Sequence, residues 1–184
     1  MTESQLITVA TVQFQHQANN KQYNLLVIEK FIEQAALQNI KILAFPEMCI
    51  SGYWHVPKLT AVQVNALAES IENSPSIALV RALAIKYQML IGVGLIERAD
   101  DGRLYNAYVA CMPDGSFHTH RKLHAFEHPA ISSGDCYTVF DTPWGVKVGI
   151  LICWDNNLVE FVRVFTLLGA DILLAPHQTG GTHS

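Results

Sequence analysis

Two Asp-Gly pairs constrain this chain more than any other feature. Asp101-Gly102 and Asp114-Gly115 bracket the apolar run Leu104 to Met112. Asp-Gly between apolar runs is a hairpin turn signal, so the middle of the chain must pair antiparallel. The two ends read differently. There, short β-branched runs alternate with amphipathic helices, a pattern that gives parallel pairing with helical cover. The two patterns together require a mixed sheet covered by helices, which places the chain in the α/β class.

The predicted elements follow from that division. Gln5 to Phe14 reads as a strand, with Ile7, Val9 and Val12 alternating with polar neighbours. Lys21 to Gln38 reads as a helix carrying Leu25, Ile28, Ile32 and Ala35 on one face. Ile42 to Phe45 is a buried strand stopped by Pro46. Helices are predicted at Ala61 to Glu69 and Ser76 to Lys86, the second with Pro75 at its start. Strands are predicted at Met89 to Ile96, Leu104 to Met112, up to Lys122, Tyr137 to Phe140 and Val146 to Ile152. A polar loop runs on to Asp135. A last helix, Leu158 to Leu168, closes at Gly169, and Ile172 to Ala175 is the last strand. No internal repeat or linker interrupts the 184 residues, so residues 1–184 are read as one domain.

Composition removes several function classes. Half the residues are apolar and 15% are charged, which excludes a disordered chain. Twelve basic against sixteen acidic residues leave a net charge of −4, with no basic footprint for nucleic acid. The most apolar stretch, Ile77 to Ile96, is broken by Arg81, Lys86 and Gln88, so it reads as helix, turn and strand and not as a membrane span. The N-terminus lacks a basic, apolar export signal, and the four cysteines show no CxxC spacing. A cytoplasmic protein with free thiols is expected.

Three segments carry chemistry. In LAFPEMCISGY, residues 43 to 53, a buried strand ends at Pro46 and Glu47 follows at the sheet rim. In HRKLHAFEHPAISSGD, residues 120 to 135, Lys122 follows a strand and Glu127 stands five residues on. In VGILICWDNN, residues 148 to 157, an apolar strand ends at Cys153. Asp155, Asn156 and Asn157 are good N-cap types, so a helix start is expected there, with a partial positive charge favouring thiolate. Each segment alone also reads blandly, as a solvated loop Glu, a surface loop and a structural Cys. Together they supply a nucleophile in Cys153, a base in Glu47 and a cation for an oxyanion in Lys122.

The order FPE, then HRK, then a Cys after an apolar strand resembles the nitrilase superfamily, the carbon-nitrogen hydrolases. The resemblance runs from ITVATVQF to LLAPHQTGG. It implies an α-β-β-α sandwich and a Glu47-Lys122-Cys153 triad with no cofactor and no metal. It implies that Glu127 is a second glutamate near Lys122, and that the Trp154 backbone N–H completes the oxyanion hole. It implies hydrolysis of a small non-peptide amide or carbamoyl compound through a thioester. A nitrile hydrolase and a non-catalytic binding or assembly protein on the same fold are the alternatives. Nitrilases usually carry Trp-Glu after the nucleophile, and this chain has Trp154-Asp155. Members of the family also run longer, so the resemblance implies a domain incomplete at its C-terminus, with an exposed sheet edge after Ala175. It further implies a homodimer or higher homo-oligomer, to which the helix after the Cys, with Glu160 and Arg163, contributes structurally.

Other features read more plainly. Tyr53 and Trp54, with Trp154, are candidate pocket walls. His118, His120, His124 and His128 cluster in sequence, but no metal motif supports a zinc site and rim histidines are expected. Gly180-Gly181 lacks the Lys-Ser/Thr of a phosphate loop.

Overall fold

A computed structural model describes residues 6–178. The structure has nine strands and four α-helices among these residues. The larger sheet holds β1 (Val9–Thr11), β2 (Ile42–Ala44), β3 (Leu90–Arg98), β4 (Leu104–Cys111) and β5 (Phe117–Arg121) in that order, with β6 (Ile131–Ser132) pairing β4. β1, β2 and β3 are parallel, whereas β3-β4 and β4-β5 are antiparallel across the two Asp-Gly turns. The smaller sheet orders β7 (Val139–Asp141), β8 (Lys147–Ile150) and β9 (Ile172–Leu174).

Apolar faces set the layers. Helices α1 (Lys21–Leu37) and α3 (Pro75–Tyr87) bury Ile28, Ile32, Ile77 and Val80 against Leu43, Ile91 and Val109 of the larger sheet. The other face of that sheet offers Ile42, Leu90 and Tyr108, which pack on Phe140, Val148, Ile150 and Leu174 of the smaller sheet. Helix α4 (Val159–Leu167) covers the smaller sheet through Phe165. Gly149 permits this approach, since a Cβ there would stand 2.5 Å from the Phe165 ring. The result is an α-β-β-α sandwich. Helix α2 (Ala61–Leu67) opens with a capping box between Thr60 and Gln63, and Ser74 caps α3 ahead of Pro75.

Three expectations need correction. The first strand is only Val9–Thr11, with residues 1–5 outside the described region. The polar loop before Asp135 contains β6, held in parallel register with Leu104 and Tyr105. The third concerns the helix start after Cys153. Cys153–Asn157 is a 3-10 turn, and α4 begins at Val159 with no side-chain cap. The N-cap position falls on Leu158, whose side chain cannot cap, and Asp155, Asn156 and Asn157 lie before it. Gly180-Gly181 lies outside the described residues.

The outer edge of β9 has no partner strand among the described residues. Among the same residues, no helix is long and apolar enough to cross a membrane.

Candidate active site

Glu47, Lys122 and Cys153 come from three different strand ends, and the fold brings them together. β2 leads into Pro46 and Glu47, and Met48 then takes a left-handed backbone, φ 49°. A non-glycine residue in that region is strained, and such residues gather at functional sites. The neighbouring β3 makes room. A Cβ on Gly94 would stand 2.4 Å from the Met48 nitrogen, so only glycine lets the Glu47 turn lie this close. The Tyr108 hydroxyl, 2.8 Å from the Phe45 carbonyl, holds the chain just before it.

Lys122 leaves the end of β5. Its backbone N–H donates to the Asn106 carbonyl at 2.8 Å, and its own carbonyl accepts from the Gly134 N–H. Its ammonium is fully buried, 2.9 Å from Glu47 Oε1 and hydrogen-bonded to Glu127 Oε1. Asn106, in the middle of β4, donates its side-chain amide to both carboxylates, at 2.7 Å to Glu47 and 3.0 Å to Glu127. Two carboxylates therefore share one cation in a dry site. Burial pushes the Glu47 carboxyl above the usual range, more than Lys122 pulls it down. For Lys122, burial opposes charge, but Glu47 and Glu127 outweigh it and the ammonium is held. Glu47 Oε1 is occupied twice, while Oε2 is buried without a hydrogen-bond partner.

Cys153 also adopts a left-handed backbone, φ 49°, at the sharp turn between β8 and the 3-10 segment. Its thiol is pushed up to about 11, first by burial and then by the Glu47 charge, with Lys122 and the Gln178 backbone N–H acting the other way. The expected thiolate is thus corrected. The segment is too short and irregular for a helix dipole to dominate, and burial beside a carboxylate favours the neutral thiol. Cys153 at rest is a thiol, beside a cluster in which Glu47 Oε2 has no hydrogen-bond partner.

The other expected residues are placed as follows. Glu127 joins the cluster directly, and its Oε2 accepts from the Phe126 N–H. Trp154 is half exposed and meets Phe126 edge-on at 6.1 Å, while the Phe126 ring lies 4.6 Å from the Lys122 ammonium. Tyr53 is buried near the site, its hydroxyl pushed up by burial and then by the charges of Glu47, Glu127 and Cys153. Trp54 lies edge-on to Tyr53 but is half exposed. The four clustered histidines separate. His118 stacks on Phe140, His120 bonds Thr138, His124 lies by Asp155 and His128 bonds the Leu59 carbonyl. Cys49 is buried and meets the Gly94 backbone.

Sequence reasoning missed Asn106 and the Gln178 contact. Asn106 carried a signal, being the one amide inside the apolar run Leu104 to Met112. A family model for carbon-nitrogen hydrolases matches residues 8–184.

The chain belongs to the carbon-nitrogen hydrolase family.

It is 35% identical over 182 residues to a citrullinase of Francisella tularensis, covering 95% of this chain and 62% of the relative. It is 32% identical over 168 residues to an omega-amidase of Xenopus tropicalis, covering 85% of this chain and 58% of the relative. The structure superposes on a nitrilase-superfamily member of Saccharomyces cerevisiae with a TM-score of 0.80 at 26% identity, over 95% of this chain and 65% of that one. This carbon-nitrogen hydrolase chain thus spans about three fifths of the length of the curated relatives it matches.

Proposed function

We propose that this protein hydrolyses the carbon–nitrogen bond of a small linear amide or carbamoyl compound, with Cys153 as nucleophile. The observation that carries the reading is the unpartnered Glu47 Oε2 in a cluster whose Lys122 charge acts on the Cys153 thiol. Glu47 takes the thiol proton as sulfur attacks the carbonyl carbon. Lys122 and the Trp154 backbone N–H hold the oxyanion. Glu47 returns its proton to the departing nitrogen, the C–N bond breaks, and a thioester remains. Glu47 then deprotonates a water, whose attack breaks the C–S bond and releases the acid. Glu127 keeps Lys122 oriented and helps place the substrate.

The substrate class draws on the relatives, whose names denote a citrullinase and an omega-amidase. Tyr53 is read as a pocket wall. The family resemblance supports a homo-oligomer, and α4 exposes Val159 and Leu167. The four free cysteines fit a reducing cytoplasm. Ammonia release from a panel of ω-amides and ureido amino acids tests the reading, with Cys153→Ala as control. Release by the wild type alone supports it, and equal release by the variant contradicts it.

A further inference from the structure

Asp155 is a fully buried carboxylate on the 3-10 turn, two residues beyond Cys153. Its oxygens point away from its own helix and into the chain that follows Lys122. Oδ2 accepts the Leu123 N–H at 2.8 Å, and Oδ1 accepts the His124 N–H at 2.9 Å. His124 Nδ1 stands 3.6 Å from Oδ1 on a half-exposed ring. Burying a carboxylate is costly unless its lone pairs are met, and two backbone N–H groups meet them here.

The position of these bonds matters more than their strength. The Lys122 backbone is tied to Asn106 and Gly134, both on the side of the larger sheet. The Cys153 backbone is tied to the Pro176 carbonyl beyond β9 of the smaller sheet. Each catalytic residue is thus anchored to its own sheet. Between the sheets lie apolar contacts such as Tyr108, Phe140 and Val148, which do not specify direction, and hydrogen bonds of the Thr138 hydroxyl to His120 and the Thr119 carbonyl, which do not reach the turn of Cys153. Among the described residues, the Asp155 bonds are the hydrogen bonds that join the segment carrying Lys122 to the turn carrying Cys153.

We propose that Asp155 is a positioning residue for the reaction, clamping the chain that leaves Lys122 to the turn opened by Cys153. It thereby sets the ammonium against the thiol and the oxyanion site between them. The inference rests on the reading of Cys153 as nucleophile and Lys122 as oxyanion partner.

The test compares Asp155→Asn with Asp155→Glu. Asn presents an NH2 group to a backbone donor, so one bond is lost. Glu keeps the charge but reaches one methylene further. A misplacement of about 1 Å is worth up to roughly a hundredfold in rate. Both variants are therefore expected to lower kcat by about ten- to a hundredfold with KM nearly unchanged. Iodoacetamide labelling of Cys153, followed at its own peptide because Cys136 is also exposed, is expected to show a displaced rate–pH profile in both. In the wild type, hydrogen exchange at the Leu123 and His124 amides is expected to be slow, a readout that stands even if a variant does not fold. Unchanged kcat and labelling in folded Asp155→Asn would overturn the clamp. So would full recovery in Asp155→Glu, which would show that charge and not reach matters, or exchange of both amides at open-loop rates. If the wild type turns over nothing in the panel, the labelling profile decides alone: a displaced profile upholds the clamp and an unmoved one overturns it.

Discussion

Lys122 Nζ lies 2.9 Å from Glu47 Oε1, and both side chains are completely removed from solvent. With Glu127 on the same ammonium, the cluster holds two carboxylates against one cation. Burial, with the Glu127 charge adding to it, raises the Glu47 carboxyl against the pull of Lys122, and the proposed attack by a thiol near 11 calls for such a stronger base.

Glu47→Gln removes the proposed base while keeping the shape. A general base contributes about a hundred- to ten-thousandfold, so kcat should fall within that range. The wild-type pH profile follows from the same group. Glu47 works as the carboxylate, so kcat/KM should fall as pH drops through its pKa, at a higher pH than an ordinary glutamate. A steady-state profile of ammonia release checks this, and an acid limb no higher than that of a free glutamate contradicts it.

Lys122→Met leaves Glu47 and Glu127 buried without a counter-ion. Breaking a buried pair from one side costs roughly 3 kcal/mol or more. For a chain of this size that lowers Tm by on the order of 10 °C. Thermal unfolding of the variant measures it, with loss of ammonia release as the parallel readout.

His120 supplies a pH dependence of stability that is separate from catalysis. It is buried on β5, with Nδ1 3.1 Å from Thr138 Oγ1 and Nε2 unpartnered, and burial lowers it to about 4. Above 6.5 the imidazole is neutral in both the folded and unfolded chain. Below 6.5 the unfolded chain takes up a proton that the fold refuses, so stability falls until about pH 4. The slope from this group is about 1.4 kcal/mol per pH unit. Urea titrations of wild type and His120→Phe between those pH values should differ by that slope. Parallel curves would contradict the assignment.

Much of the candidate site was legible because Glu47 and Cys153 each follow an apolar run and Lys122 follows the strand ending at Arg121, and strand ends place side chains at the sheet rim. The hairpin order around Leu104–Cys111 was equally plain from its Asp-Gly turns. What could not be read depends on partners distant in the chain. Asp155 looks like a helix cap until Leu123 and His124 claim its oxygens. Cys153 looks like a thiolate at a helix start until its burial and Glu47 are known. The left-handed backbone at Met48 and Cys153 has no signature in those residue types, since tertiary packing imposes it.

The central claim is that Cys153 becomes covalently acylated. Acid-quenched enzyme, mixed with a substrate that releases ammonia, should carry the acyl group on the Cys153 peptide by mass spectrometry, and Cys153→Ala should carry none. Turnover with no adduct at Cys153, or undiminished turnover by Cys153→Ala, would contradict the account.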